Sequence, residues 1–363
     1  MEIAVDKLNF TVGPVQMSDS IRKIGGQQIP YFRTREFSRL MFENEKLLKE
    51  LLCADERTRM ISLTGSGTAG MEATVMNVLD RSDKALVVNG GGFGERFAIL
   101  CRQHRIPYEE IKLSVGKGLT MSDLEPYEKR GFTAFLVNYH ETSTGVLYNM
   151  DLISGFCKRN QCILIVDAIS SFLADSFLMK EWGVNAVITG SQKAYAIPPG
   201  LSLIALDYVA QERVKKKKCS VLYFDLESYL LNGERGQTPF TPAVGILIQL
   251  NKRLREIADI GLVNVQRRTA ELATHFRKNI AGLPLVVASD SLSNAVTPLL
   301  VREEKDAYEV FEILEEDYGI WVCPSGGEMK HRMFRVGHLG NLTQKDNNML
   351  VSALWELYKR NKL

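Results

Sequence analysis

Short runs of consecutive apolar residues alternate with longer amphipathic stretches from residue 59 to about residue 206. Continuously apolar runs are typical of strands that helices cover on both faces. They predict seven strands: RMISLTG, KALVVNG, YEEIKLS, TAFLVNYH, CILIVDA, NAVITG and LSLIALD. The stretches between them, such as GTAGMEATVMNVLD and FGERFAILCRQH, have the spacing of helices. The alternation predicts an α/β domain built on a mainly parallel, seven-stranded sheet.

The pattern changes near residue 241. Residues 241–282 have the periodicity of long helices, and the rest of the chain mixes both kinds of element. Strands are predicted in NAVTPLLV, GIWVCP and MFRVGH, and helices in DAYEVFEILEEDYG and residues 343–359. Because 363 residues exceed what one core usually supports, we expect two domains. The boundaries predicted are an N-terminal segment over 1–20, a large domain over 21–262 and a smaller α+β domain over 263–363, tightly joined.

Composition and charge exclude several classes of protein. The chain is 45% hydrophobic and 24% charged, which is typical of a globular protein, and its net charge of +2 is too small to indicate a polyanionic partner. The run VKKKK at 214–218 lacks interleaved aromatic residues, so a solvated helix end is predicted rather than a nucleic-acid site.

The cysteines and the N-terminus bear on the compartment. Six scattered cysteines form no CxxC pair and have no histidine at metal-ligand spacing, which favours reduced thiols and no metal site. The sequence MEIAVDKLNFTVG has no apolar signal core, and no stretch approaches the ~18 apolar residues of a membrane span. We therefore expect a cytoplasmic protein without a membrane partner.

Polar residues with chemical potential follow three of the predicted strands, where ligands of open α/β sheets bind. The glycine-rich turn TGSGTAGMEA leads into a helix and could hold a phosphate, although many such turns are only tight turns. Asp167 ends an apolar run and needs a partner, which an N-cap would also provide. Lys193 lies in TGSQKAYAIPPG, whose prolines exclude a long helix; alone it would be a solvated turn lysine.

Together these three features match the requirements of one cofactor. Pyridoxal phosphate needs a lysine for its Schiff base, a carboxylate that keeps the pyridine nitrogen protonated, and a phosphate anchor. Asp167 and Lys193 are separated by one helix-like stretch and one strand, so both should lie at the same sheet edge.

Ordered motifs along nearly the whole chain carry a resemblance to a known family. They are NFTVGP, TGSGTAGMEA, NGGGFGERF, HETSTGVL, VDAISS, GSQKAYAIPPG, TPFTPAV and FRVGHLG. The chain resembles class V, fold-type I pyridoxal-phosphate aminotransferases, close to the alanine–glyoxylate, serine–pyruvate and 2-aminoethylphosphonate–pyruvate transaminases. The resemblance implies a large cofactor-binding domain, an N-terminal segment at the active site and a homodimer with shared sites.

The resemblance also implies roles for individual residues. Lys193 and Asp167 would be catalytic, as the Schiff-base lysine and the partner of the pyridine nitrogen. The cofactor-binding residues implied are Ser66, Gly67, Thr68, Phe93, Thr142, Asp167, Ile169, Gln192, Lys193 and Thr241.

Three of these have distinct contacts in the family. Phe93 would stack on the pyridine ring, although without the family it would be interpreted as a core residue. Thr142 would meet the ring oxygen, and Thr241 would reach the phosphate of the neighbouring subunit. The family often has tyrosine three positions before Thr241, where this chain has Thr238, so that second cross-subunit contact is open.

Substrate binding is assigned to Gly13 and Arg335 by the same resemblance. A guanidinium can hold a carboxylate through two parallel hydrogen bonds, which lysine cannot. Arg33 or Arg35 is the alternative clamp if Arg335 has only a structural role. His140 and His338 are predicted to be structural.

The function predicted is transfer of an amino group from a small donor, alanine or serine favoured, to glyoxylate or pyruvate. The 2-aminoethylphosphonate–pyruvate transaminase is the alternative within the group. A cysteine desulfurase or lyase would require a nucleophilic cysteine, for which Cys323 is the candidate, although its place after GIWV favours an apolar strand-end cysteine. A non-catalytic cofactor-binding protein is the remaining alternative.

Overall fold

A computed structural model describes residues 7–363 of the chain. The first six residues of the predicted N-terminal segment lie outside the described residues. The same holds for the part of the sequence MEIAVDKLNFTVG on which the expected absence of a signal peptide partly rests. The strands, in chain order, are β1 (Leu8–Asn9), β2 (Arg59–Thr64), β3 (Ala85–Asn89), β4 (Tyr108–Lys112), β5 (Ala134–Asn138), β6 (His140–Glu141), β7 (Val146–Leu147), β8 (Ile163–Asp167), β9 (Ala186–Gly190), β10 (Leu201–Leu206), β11 (Val286–Val287), β12 (Val296–Leu300), β13 (Ile320–Trp321), β14 (Cys323–Pro324) and β15 (Met333–Gly337).

The helices are distributed along the whole described chain. In order they are α1 (Asp19–Gly25), α2 (Arg35–Leu51), α3 (Gly67–Val78), α4 (Gly92–Gln103), α5 (Met121–Leu124), α6 (Met150–Asn160), α7 (Met179–Trp182), α8 (Tyr208–Lys216), α9 (Leu226–Gly233), α10 (Val244–Ile260), α11 (Leu262–Asn279), α12 (Ala307–Tyr318) and α13 (Gln344–Lys359).

The central sheet has seven strands in the order β2-β10-β9-β8-β5-β3-β4. Its strands pair in parallel except for β10, which is antiparallel to both β2 and β9. These are the seven strands predicted from the apolar runs, which confirms the α/β fold. Every residue of β5, β8 and β9 is buried, because helices pack against both faces of the sheet. Two apolar clusters, one on each face, form the core of this part of the chain.

The C-terminal part contains a four-stranded antiparallel sheet in the order β11-β12-β15-β14. Helices α11, α12 and α13 contribute to a third apolar cluster on this sheet. The single strand predicted in GIWVCP is wrong, because the segment divides at Val322. Its first half, β13, pairs in parallel with β1, whereas β14 pairs with β15. The division depends on β1, which is more than 300 residues away in the chain.

Direct contacts join residues near the seven-stranded sheet to the segment that precedes β12. The buried carboxylate of Asp175 accepts hydrogen bonds from the Ser293 hydroxyl and from the Asn294 N–H at 3.0 Å. Leu147 N–H donates to Ser291 O at 2.8 Å, and Val146 bridges to Leu292. The domain boundaries themselves remain predictions.

Three further expectations concern the surface and the thiols. The lysine run 214–218 occupies the last turn of α8 and the residues after it, and Lys215, Lys216 and Lys218 are exposed, as predicted. All six cysteines are free. Within residues 7–363, no helix is both long enough and apolar enough to span a membrane.

Candidate active site

Lys193 lies in the loop that joins β9 to β10, as the prolines predicted. Its side chain is buried rather than solvated, so the interpretation as an ordinary turn lysine is wrong. Nζ donates to Val12 O at 2.5 Å, and the backbone of Gly13 packs against the lysine so closely that an added Cβ would lie 2.7 Å from Cδ. Burial is the main reason that the pKa of Lys193 is lowered to about 8; the positive charges of Arg335 and Arg96 act in the same direction, and Cys323 and Asp167 oppose them.

Asp167 is the last residue of β8, the neighbour of β9 in the sheet. Its Oδ1 accepts a hydrogen bond from Ile169 N–H at 2.8 Å, while Oδ2 has no hydrogen-bond partner among the described residues. Burial raises the pKa of Asp167 to about 7, and the nearby Glu141 carboxylate adds to the rise. The Ile169 N–H and the charges of Arg96 and Lys193 act in the other direction. A cationic N–H donor at Oδ2 would therefore stabilise the ionised carboxylate.

The glycine-rich turn connects β2 to α3, and Ser66 is the N-cap of that helix. An added Cβ on Gly67 would lie 2.3 Å from Ile169 Cδ1, so a larger residue there would displace the end of the Ile169 side chain, two positions after Asp167. The Thr68 hydroxyl accepts a hydrogen bond from Arg96 Nη1 at 2.9 Å. The first N–H groups of a helix together with a guanidinium form a site for an anion.

Phe93 lies in the first turn of α4 and is half-buried, so it is not a core residue. The guanidinium of Arg96, one helical turn later, lies 4.8 Å from the centre of the Phe93 ring. Glu141 is fully buried and holds the start of this helix, because its Oε2 accepts hydrogen bonds from the N–H groups of Phe93 at 3.2 Å and Gly94 at 2.9 Å. Asn138 donates to the same oxygen at 2.8 Å.

Sequence reasoning missed Arg96 and Glu141, although both lie inside quoted motifs. Arg96 is three positions after Phe93 in NGGGFGERF, which places both side chains on one face of a helix. Glu141 precedes Thr142 in HETSTG, but nothing in the sequence indicates that its carboxylate meets helix α4.

The Thr142 hydroxyl is buried and bonded to Ser170 Oγ at 2.6 Å. The same Ser170 oxygen lies 2.9 Å from His140 Nδ1, so the three side chains form a short hydrogen-bonded chain. Burial, with the positive charges of Lys193 and Arg335, lowers the pKa of His140 to about 3. The imidazole is therefore neutral at physiological pH. Its buried Nε2 has no hydrogen-bond partner among residues 7–363.

Arg335, on β15, reaches from the small sheet to the edge of the large one. Nη1 donates to Thr142 O at 3.0 Å and Nη2 to Pro324 O at 2.8 Å. The buried Nε has no hydrogen-bond partner. Cys323 Sγ lies 3.1 Å from Nη2, so this strand-end cysteine is in contact with the predicted carboxylate clamp and is not simply an apolar residue.

Gln192 precedes Lys193 in the chain, and Ile169 lies two positions after Asp167. Gln192 Oε1 is buried without a hydrogen-bond partner, and the Ile169 side chain packs between Gly67 and Gly190. His338 lies away from these groups, bonded through Nε2 to Thr297 Oγ1 at 2.7 Å and packed on Phe276. Its contacts are those of a structural histidine.

Thr241 is a predicted site residue that makes no hydrogen bond with the other described site residues of the same chain. It is exposed. The nearby Thr238 is buried, and its hydroxyl donates to Phe240 O at 2.7 Å. Arg33, the alternative clamp, donates to Thr238 O at 2.9 Å and to Gln237 Oε1 at 3.2 Å.

Comparisons with known proteins identify the family. The family model described as Aminotransferase class-V matches residues 30–336. A relative from Synechococcus, named as the small subunit of a soluble hydrogenase, is 31% identical over 349 residues, covering 94% of this chain and 90% of the relative. The L-aspartate–glyoxylate aminotransferase of Paracoccus denitrificans is 28% identical over 343 residues, covering 92% and 86%.

A solved structure shows the same fold. The ureidoglycine–glyoxylate aminotransferase of Bacillus subtilis superposes with a TM-score of 0.94 at 21% identity, over 99% of this chain and 95% of that one. The overall fold is therefore shared.

Proposed function

The chain belongs to the class-V aminotransferases, and from this premise we propose that it moves an amino group from alanine or serine to glyoxylate or pyruvate, with pyridoxal phosphate as cofactor. One observation carries the proposal: a buried lysine with a lowered pKa and a buried carboxylate with a free oxygen end neighbouring strands at the same sheet edge. The two enzymes named above as aminotransferases both have glyoxylate in their names, which supports this acceptor.

The residues at the site fit this cofactor. Asp167 Oδ2 is an acceptor without a partner, as an N–H of the pyridine nitrogen would require. The N-terminus of α3, with Ser66, Gly67 and Thr68, suits the phosphate. Gly67 has no Cβ, which would otherwise press against Ile169. Phe93 presents its ring beside this turn, while Gln192 and Thr142 offer polar atoms. When bound, the cofactor supplies an electron sink for the negative charge that develops at the substrate Cα.

Lys193 is the base in this proposal. With a pKa of about 8, an appreciable share of the amine is neutral near neutral pH, so Nζ could accept a proton from the substrate Cα and deliver it to the bound cofactor within the same half-reaction. The second half-reaction would run this proton transfer in reverse. The N–H donated to Val12 O holds the side chain beside Gly13 and orients Nζ.

Arg335 binds the substrate carboxylate. Two of its nitrogens are anchored by main-chain oxygens of Thr142 and Pro324, and its positive charge is close enough to Lys193 to lower the pKa of that lysine. Since both the amino donor and the 2-oxo acid carry a carboxylate, one guanidinium serves both half-reactions.

A homodimer completes the site. Thr241 is exposed, and its side chain makes no hydrogen bond within residues 7–363, as expected for a residue that contacts a neighbouring subunit. Large apolar side chains elsewhere on the surface are also exposed: Leu222 is 79% exposed and Tyr31 is 69% exposed. A second copy would cover these side chains, which a monomer would leave in water.

Cysteine desulfurase activity has one supporting observation, the contact of Cys323 with Arg335. The thiol lies on β14, within the sheet that holds the arginine, rather than on a separate loop that could carry it to a substrate. This favours transamination over sulfur transfer.

The test is a donor screen with the purified holoenzyme. Alanine, serine, aspartate and 2-aminoethylphosphonate are each paired with glyoxylate and with pyruvate, and the new amino acid is measured. Alanine or serine should be the best donor. A clear preference for aspartate or the aminophosphonate contradicts the donor assignment. Release of sulfide and alanine from cysteine, without amino transfer, contradicts the reaction class.

The lysine is tested separately from the substrates. Borohydride reduction of the holoenzyme should fix the cofactor on the peptide that contains Lys193, and mass spectrometry locates the label. A label on a different lysine would overturn the assignment of the site.

A further inference from the structure

A cavity lies beside the loop that carries Lys193 (the catalytic turn), and among the described residues none of those predicted to bind the cofactor lines it. It has a volume of about 80 Å³ and is bounded by α10, α11 and the loop at residues 339–341. Ala194 and Ala196, on either side of Tyr195 and directly after Lys193, form part of its wall. Its polar lining includes Ser18, Thr269 and two arginines, Arg253 and Arg268; no acidic side chain lines it among the described residues.

Arg253 connects this cavity to the catalytic turn. Its Nε donates to Tyr195 O at 3.1 Å, two residues after Lys193. The next residue, Ala196, has a φ of 54°, a left-handed conformation that is strained for alanine and must be held by its surroundings. Arg253 is thus one of the groups that fix the turn carrying the lysine.

The charge of Arg253 is incompletely neutralised. Its closest carboxylate, Glu256, is 3.5 Å from Nη1 and is shared with Lys252, also at 3.5 Å, and with the Ser20 hydroxyl. Burial lowers the pKa of Arg253, and the like charge of Arg268 lowers it too. Arg268 itself donates only to Leu342 O, at 2.9 Å, and has no carboxylate within 4 Å among residues 7–363. Two cations therefore face one cavity with one shared carboxylate beside them.

We propose that this cavity binds a small oxyanion, a carboxylate or inorganic phosphate, between Arg253 and Arg268. The volume is several times the roughly 10–15 Å³ that one water requires, so a small anion can enter. An anion would relieve the repulsion between the two guanidinium groups and accept charge-assisted hydrogen bonds from both. It would also bridge the catalytic turn to the loop at 339–341, which follows the strand of Arg335. Occupancy would therefore stabilise the protein and affect the surroundings of Lys193.

The experiment uses the holoenzyme, in which the cofactor already fills the phosphate turn. Inorganic phosphate and malonate are titrated at constant ionic strength, with chloride as the reference, and binding is followed by calorimetry and by the thermal unfolding midpoint. The variant is Arg268→Gln, which keeps a donor for Leu342 O but removes the charge. The matched control is Arg267→Gln, the preceding residue of the same helix, which is exposed like Arg268 but does not line the cavity.

Wild type and Arg267→Gln should bind the anion and show a raised unfolding midpoint, whereas Arg268→Gln should bind about tenfold more weakly or worse. Arg335→Lys should retain the phosphate effect, because the proposed site is not the substrate site. A response to phosphate alone or to malonate alone identifies which anion the cavity takes. No binding in wild type, equal binding in Arg268→Gln, or loss of binding only in Arg335→Lys would overturn the proposal. None of these readouts requires transaminase activity, so failure of the proposed function would be recognised separately.

Discussion

Burial shifts the two central side chains in opposite directions. It disfavours the charged form of each, so the pKa of Lys193 falls to about 8 while that of Asp167 rises to about 7. The amine therefore becomes a usable base near neutral pH. The carboxylate, by contrast, requires a cationic partner to remain ionised, and its unpartnered Oδ2 is where that partner would bind.

Replacing Asp167 with asparagine tests this dependence. Asparagine has nearly the same shape, so cofactor binding should persist, but it cannot hold a pyridine nitrogen protonated by charge. We expect the half-reaction rates, measured in single-turnover experiments, to fall by much more than tenfold. Rates within tenfold of the parent would contradict the role of Asp167.

The burial of Lys193 also has a measurable effect on stability in the apoprotein. Because its folded pKa, about 8, is below the unfolded value of 10.5, the unfolded chain binds more protons between these pH values. The free energy of unfolding should therefore rise with pH across this window, by about 3 kcal/mol from this group.

The comparison that isolates this effect is with Lys193→Met. In urea unfolding, the variant should have a larger free energy of unfolding than wild type. This difference should be largest near pH 7.5 and should shrink as the pH approaches 10.5. The exposed Lys359→Met is the control and should show no such trend. A constant difference between Lys193→Met and wild type would mean that Lys193 titrates normally.

Site residues that follow predicted strands can be predicted from the sequence, whereas contacts between distant segments cannot. Lys193 and Asp167 were predictable because each follows an apolar run, and parallel neighbouring strands bring their carboxyl ends together. The burial of Lys193 was not, because it depends on Val12 and Gly13, which are 180 residues away. The contact of Cys323 with Arg335 likewise depends on the pairing of β14 with β15.

At the scale of elements, the apolar runs determine the central sheet. Each predicted strand agrees with the observed one to within one or two residues, because strands buried on both faces contain few polar positions. The antiparallel direction of β10 follows from the short loop around Lys193, which has no room for a crossover helix. Short pairings such as β1 with β13 leave no comparable pattern in the sequence.

Helix α4 depends on a carboxylate from another element. Glu141 accepts hydrogen bonds from the N–H groups of Phe93 and Gly94, where a negative charge also interacts favourably with the helix dipole. Glu141→Gln should lower the free energy of unfolding by about 2 kcal/mol, since hydrogen bonds to a buried charge are lost. Glu95→Gln, in the same first turn but exposed, is the matched control and should change stability by less than about 0.5 kcal/mol. Equal effects of the two variants in urea unfolding would show that Glu141 does not hold this helix.

At the scale of the whole molecule, the candidate site draws on residues around both main sheets. Lys193 and Asp167 belong to the large sheet, whereas Arg335 comes from the small one and is anchored on Thr142 O across the junction. The Asp175 contacts with Ser293 and Asn294 hold the same junction together. The distance between the lysine and the clamp is therefore set by how the surroundings of the two sheets pack, which no local sequence pattern specifies.

Replacing Arg335 with lysine tests the clamp and the identity of the donor together. The charge is kept, but the planar pair of donors is lost, so each carboxylate-bearing substrate should bind about ten- to a hundredfold more weakly, the equivalent of about 1.5–3 kcal/mol. If the donor is alanine or serine, both half-reactions should weaken alike, because donor and acceptor each present a carboxylate. An aminophosphonate donor should instead give unequal losses, since a tetrahedral dianion requires a different geometry. The two apparent affinities are measured separately in single-turnover experiments. Unchanged affinities in both halves would show that the clamp lies elsewhere, with Arg33 or Arg35 as the next candidates, and we expect equal loss.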